Sequence, residues 1–195
     1  MSKYEIFDLF FAHQVKYMCA GIEATMNKKE SVYTCALALS TYTEIMGGLV
    51  TGKLKDKTQS HNNYDKFLPY LGQKYVELNE LIKTKYKKEL ENLYSAVRSK
   101  LVHEFALRGS HAIFFYEKAH EDKIGIDLTV PKIIVNNTEI KGIPHINFLI
   151  PEYYRDFKTA IAKYYNDLKN WKNNQDILNN FLQATVDNFQ SEEPK

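Results

Sequence analysis

VYTCALALSTYTEIMGGLVTG, residues 32–52, decides the fold. Val32, Cys35, Leu37, Leu39, Tyr42, Ile45, Met46 and Leu49 recur at helical intervals, and a helix with so many apolar positions must be buried on most of its sides. A central helix of this kind needs other helices around it, so the chain is predicted to be mainly α. Ser31 is placed to cap its start, and Gly47, Gly48 and Gly52 are placed to end it.

Working outward, residues 3–26 carry Ile6, Phe7, Phe10, Phe11, Val15, Met18, Ala20 and Ile22 at the same spacing and predict a first helix. TGKLKDKTQSHNN, residues 51–63, reads as an exposed loop. YDKFLPYLGQKYVELNELIKTKY, residues 64–86, resumes a helical pattern that Pro69 and Gly72 should bend. From about Glu89, the residues Leu90, Leu93, Tyr94, Val97, Leu101 and Phe105 write one stripe, and Gly109 stops it. After that the character changes. HAIFFYEK, IGIDLTV, KIIVNN and INFLI are short, rich in Ile, Phe and Val, and separated by polar or Pro and Gly breaks, as strands are. VNNTEIKG, residues 135–142, reads as a hairpin closure because Asn tolerates left-handed turn conformations. PEYYRDFKTAIAKYYNDLKNW opens with Pro at an initial helical position, and QDILNNFLQATVDNF makes a last helix. The expected architecture is a helical bundle with an inserted β-hairpin or small antiparallel sheet. One domain spans 1–190, with a helical core over 1–109, a β-rich insertion over 110–150 and C-terminal helices over 151–190; residues 191–195 form a tail.

Composition narrows the class. The chain of 195 residues is 44% hydrophobic, 26% charged and 13% aromatic, with 14 Tyr and 11 Phe, as a globular domain is. A formal charge of +2 is too small to imply nucleic acid by itself. Cys19 and Cys35 sit in apolar helical patterns, as reduced core thiols do. The N-terminus has no basic region followed by a long apolar run, and no apolar stretch reaches the 18 or so residues of a membrane span. A cytoplasmic location without membrane contact is the default expectation. There is no CxxC pair, HExxH or Ca-loop pattern, and TGKLKDKT lacks P-loop spacing, so neither metal nor cofactor is expected.

LYSAVRSKLVHEFALRG, residues 93–109, carries the chemistry. Imidazole exchanges a proton near neutrality, and guanidinium grips phosphate oxygens while holding its charge. RNA supplies its own nucleophile. With His103 moving the 2′-hydroxyl or leaving-group proton and Arg98 stabilising the crowded phosphorus, a strand breaks without a metal. The five-residue step leaves the two side chains roughly 140° apart on an ideal α-helix. Two copies facing each other would resolve this, the Arg of one and the His of the other lining a shared groove. Spacing alone leaves a second reading open, in which Arg98 flanks Tyr94 and His103 sits on a solvated face.

LYSAVRSKLVHEF resembles the signature helix of the HEPN superfamily, whose members carry Arg, four to six residues, then His. ALALSTYTEIMGGLVTG resembles the preceding core helix of prokaryotic members, with Glu44 at the position of an acidic residue. The two matches cover residues 32–52 and 89–109 and leave the segment from 111 onward unexplained. The resemblance implies a HEPN-like bundle and a metal-independent endoribonuclease acting as a homodimer on RNA. Such proteins commonly work in toxin-antitoxin, phage-defence or CRISPR-associated systems, with an antitoxin or other defence-system protein as a further partner. It implies catalytic roles for Arg98 and His103. Ser99 departs from the Asn, Asp or His of many active members, and Phe105 from a Tyr in some toxins. A catalytically inactive HEPN-like module binding RNA, a nucleotide or a protein is the alternative.

Supporting roles are expected for four neighbours. Glu44 either orients Arg98 through a bidentate ion pair or is solvated. Glu104 is either a paired buried carboxylate or exposed, and Tyr94 is either a groove hydrogen-bonder or a core aromatic. Ser99 is a weaker polar group beside Arg98. Lys83, Lys85, Lys87, Lys88 and Lys100 are candidates for an RNA backbone, with a solvated face as the other reading. His111 and His120 have no partner in the sequence.

Overall fold

The structure, a computed structural model, describes residues 3–26, 28, 31–99, 111–114, 119–135 and 138–189. Among them are eight α-helices and five short strands, a mainly helical fold with small sheets as expected. Helix α1 (Lys3–Phe10) runs through a π-helical turn (Phe11–Val15) into α2 (Lys16–Met26). Helix α3 (Val32–Thr51) is central. It touches α2 and α4 (Ser60–Leu71), and also both C-terminal helices, α7 (Ile150–Lys169) and α8 (Gln175–Phe189). Cys35, Ala36, Leu39, Met46 and Leu49 of α3 are fully buried, which is the burial its composition demanded. Cys35 is a core thiol; Cys19 is only partly covered.

Ser31 precedes α3 but makes no side-chain cap bond. Gly47 and Gly48 do not end the helix. It continues to Thr51 and closes at Gly52, whose φ of 72° is the left-handed conformation that glycine adopts without penalty. The two inner glycines make room for neighbours. A Cβ at Gly47 would sit 1.7 Å from the Asn63 carbonyl oxygen, so α4 crosses α3 there with backbone against backbone. Helix α4 starts earlier than Tyr64, because Asp56 accepts hydrogen bonds from Thr58 N (3.0 Å) and Thr58 Oγ1 (2.5 Å) and launches a 3₁₀ turn, Lys57–Gln59, that leads into it. Gly72, with φ of 140°, splits the expected third helix into α4 and α5 (Gln73–Lys85), while Pro69 is accommodated inside α4.

The β region departs from a simple antiparallel insertion. Strands β1 (His111–Phe114), β5 (His145–Leu149) and β2 (Ile126–Thr129) form a mixed sheet in that order, with β1 parallel and β2 antiparallel to β5. The hairpin read from VNNTEIKG is a separate two-stranded ladder, β3 (Lys132–Val135) against β4 (Thr138–Lys141), in the register Val135 opposite Thr138. Asn136 and Asn137, expected to form its turn, lie outside the described residues. The mixed sheet docks on the first turn of α7, where Pro151 stands as expected. Phe148 stacks on Tyr153 at 4.6 Å, and a Cβ at Gly125 would lie 2.2 Å from Tyr153 Cα.

Hydroxyl groups lace this core. Thr43 Oγ1 donates to Leu39 O (2.9 Å) and shares a 2.8 Å hydrogen bond with Tyr153 OH, which shares another of 3.1 Å with Tyr64 OH. Since the Thr43 proton is already used, Tyr153 donates to Thr43 and Tyr64 to Tyr153. Burial pushes the phenols of Tyr64, Tyr75 and Tyr164 well above the ordinary range and that of Tyr153 up to about 12. A folded pKa raised above the unfolded value stabilises the protein fully below that unfolded value, about 10, and the benefit is lost as pH rises through the folded values. Stability should therefore fall from about pH 10 upward, and phenolate absorbance from these tyrosines should appear together with loss of the helical circular dichroism. Their ionisation in a still-helical protein near pH 10 would contradict this. Gly47→Ala should cost about 3 kcal/mol in urea unfolding, because backbone and not a flexible side chain must yield.

Candidate functional site

The path into the motif segment is set by asparagines. After α5, a short helix α6 (Lys87–Leu90) ends at Glu91, which has φ 64° and ψ −67°. Asn92 N donates to Leu90 O at 2.8 Å across it, so Glu91 centres a γ-turn of the rare, strained kind. The predicted fourth helix thus does not start at Glu89, and Leu90 belongs to the element before it. Two buried side chains then receive the new segment's free amides: Leu93 N donates to Asn79 Oδ1 (2.9 Å) and Ser95 N to Asn92 Oδ1 (2.8 Å). Leu93 and Val97 are buried, as the stripe required, and so is Ala96, which the stripe did not include.

Ser95–Ser99 form a π-helical turn with Arg98 in it. The roughly 140° separation is that of an ideal α-helix, and the step from Arg98 to His103 runs through residues 100–103, outside the described residues. His103, Glu104 and Lys100 lie outside the described residues, as do Leu101 and Phe105. Ser99 ends the turn.

The structure brings Arg98 and Glu44 together. Arg98 Nε lies 3.3 Å from Glu44 Oε2, with the side chains 22% and 19% exposed. The contact is ionic but poorly aligned, because neither atom has a hydrogen-bond partner among the described residues. It is a single contact in place of the expected bidentate one. Glu44 is thus not a solvated acid. Tyr94 packs edge-on against Tyr64, with centroids 5.7 Å apart, as a core aromatic does. Tyr64 in turn reaches Tyr153 and Thr43, the residue before Glu44, so both sides of the ion pair are tied to one buried network.

Among the lysines, Lys83 is already engaged, with Nζ 2.7 Å from Asp65 Oδ2 and 3.3 Å from Glu80 Oε1. Lys85 lies over the Tyr86 ring at 5.8 Å, and Lys87 and Lys88 are exposed on α6. His111 stands in β1. The backbone of His120 is engaged twice, its N donating to Glu152 Oε1 (3.0 Å) and its O accepting from Arg155 Nη1 (2.6 Å).

Sequence reasoning missed this second polar cluster. Arg155 also donates to Lys123 O (2.6 Å) and to Asp156 Oδ1 (2.9 Å), while Tyr75 OH donates to Asp156 Oδ2 and accepts from Gly125 N, both at 2.7 Å. Arg155 is thereby spent on the segment between β1 and β2. Glu152 is fully buried in the first turn of α7, where a helix N-terminus favours negative charge; its Oε2 has no partner among the described residues. The Glu-Tyr-Tyr-Arg-Asp run itself was the available signal, since three charged groups in the first turns of an apolar helix need partners.

Among the described residues, no group of three or more His, Cys, Asp or Glu gathers as metal ligands, and no helix is long and apolar enough to cross a membrane. No protein-family model, curated protein or solved structure matches the chain.

Asn79→Ala and Asn92→Ala should each lose about 1–2 kcal/mol of stability, because a buried amide is stranded in both. Glu91→Gly should gain about 1 kcal/mol by relieving the positive-φ turn. Denaturant unfolding of the three variants checks both signs, and a destabilised Glu91→Gly would refute the strain.

Proposed function

We propose that the chain is a HEPN-type, metal-independent endoribonuclease in which Arg98 and His103 act on RNA, with two copies forming the working groove. The observation that carries this reading is the Glu44–Arg98 ion pair between α3 and the π turn. It joins the two stretches that carry the resemblance, and it fixes one edge of a guanidinium whose planar fork suits a phosphate. Two further features support the choice of this segment. The π turn at Arg98 and the strained γ-turn at Glu91 are costly local geometries of a kind that cluster at functional sites. On this reading His103 exchanges the proton of the 2′-hydroxyl or of the leaving oxygen, and Arg98 stabilises the charge on the phosphorus oxygens. The product is a 2′,3′-cyclic phosphate. A defence-system role and an antitoxin partner belong to the same proposal.

The limited exposure of Arg98 favours a second reading. A guanidinium four-fifths covered and neutralised by Glu44 also suits a HEPN-like module that binds RNA, a nucleotide or a protein without cutting.

Purified protein in chelator is expected to nick single-stranded RNA, and Arg98→Ala and His103→Ala should each lower the rate at least about a hundredfold. Cleavage that persists in both variants removes the assignment. Binding without cleavage in the unaltered protein selects the second reading.

A further inference from the structure

We propose that the outer edge of strand β4 is an interface with a second copy of this chain, paired antiparallel about Ile140. Strand β4 pairs with β3 alone among the described residues, and this hairpin joins neither edge of the mixed sheet. A lone two-stranded hairpin is marginal in water, whereas a third or fourth strand makes such a sheet self-supporting. Beside this ladder Ile134 is 75% exposed and Ile143 is 64% exposed.

Ladder geometry identifies the occupant. Gly142 N donates to Pro131 O at 2.7 Å, and Val135 stands opposite Thr138. Backbone groups of Thr138, Ile140 and Gly142 therefore face β3, and those of Glu139 and Lys141 face the free edge. A two-fold pairing of this edge with itself must set outward residues opposite outward residues. Within β4 that leaves four centres, of which one on Thr138 sets Glu139 opposite residue 137 and Lys141 opposite residue 135 of the other copy and so makes no charge pair. Centring on Glu139 opposes two glutamates, and centring on Lys141 opposes two lysines. Centring on Ile140 opposes Glu139 of each copy to Lys141 of the other, so the hydrogen-bond alternation and the charge sequence select the same axis. The result is a continuous four-stranded antiparallel sheet, β3-β4-β4-β3. This interface is separate from the ribonuclease reading, and its test reads mass instead of cleavage.

Sedimentation equilibrium of the full chain over a concentration series should show self-association that grows with concentration and depends on residues 139 and 141. Lys141→Glu and Glu139→Lys should each weaken it about tenfold or more, since two attractive pairs become repulsive. An equimolar mixture of the two variants should recover the unaltered affinity, because every facing pair is again of opposite sign. Neither change opposes like charges within the hairpin: residue 141 faces Lys132 and residue 139 faces Ile134. Unchanged circular dichroism will confirm that the variants fold. Ile140→Cys should form an oxidised dimer absent from the unaltered protein, as non-hydrogen-bonded antiparallel pairs lie within disulfide reach. A monomer at every concentration, equal association of the unaltered protein and both variants, or a mixture no tighter than its components would overturn the proposal.

Discussion

The crossing of α3 and α4 at Gly47 is the constraint on which the rest of the molecule depends. Because no Cβ intervenes, the Asn63 backbone rests against α3, and the Asn63 side chain bonds both Thr51 Oγ1 and Lys53 O at the helix end. Tyr64, the next residue, then enters the core where its hydroxyl meets that of Tyr153, which is bonded in turn to Thr43. Packing of this kind is set by shape, and one methyl group in the wrong place is felt because interiors have no slack. Glu44 lies one helical turn before Gly47. The position of its carboxylate is thus inherited from this close backbone approach.

The other half of the pair is delivered by quite different means. The chain reverses at a strained γ-turn, and the first free amides beyond it go to Asn79 and Asn92. Amides left unmet in a buried site would cost more than the turn strain, so the two devices hold each other in place. Arg98 then arrives in a π turn, beside the carboxylate and not past it. Two dissimilar constraints, steric on α3 and hydrogen-bonded on the motif segment, converge on one ion pair.

Periodicity made the central helix, the buried faces of Leu93 and Val97 and the final helices legible, because burial on one side leaves its period in the residue order. The pairing of Glu44 with Arg98 came through resemblance and one of two open readings. What was illegible was non-local or ambiguous. Glycine marks a helix end and a close crossing alike, so Gly47 and Gly48 read as a terminus. KKELEN has ordinary helix formers, and nothing in Glu91 announces a positive φ. Asn79 meets Leu93 fourteen residues away, a bond no local pattern encodes. A parallel β1–β5 pairing likewise depends on a return of the chain after three intervening strands.

The electrostatics of the pair bear on either functional reading. A guanidinium beside a carboxylate presents little net charge at a distance, so Arg98 contributes weakly to drawing a polyanion in from solvent. The exposed Lys87 and Lys88 on α6 are better suited to that. At contact the order reverses, because lysine is a mobile point charge and Arg98 is held with its Nε edge toward Glu44. A phosphate that meets its terminal nitrogens finds donors oriented in advance, and little ordering remains to be done on binding. The same contact limits what the arginine can do alone. With one edge held and most of the side chain covered, it can stabilise an anion but cannot reach far. On the proposed ribonuclease reading, a proton-transfer partner would therefore have to come to it from the same segment or from a second copy.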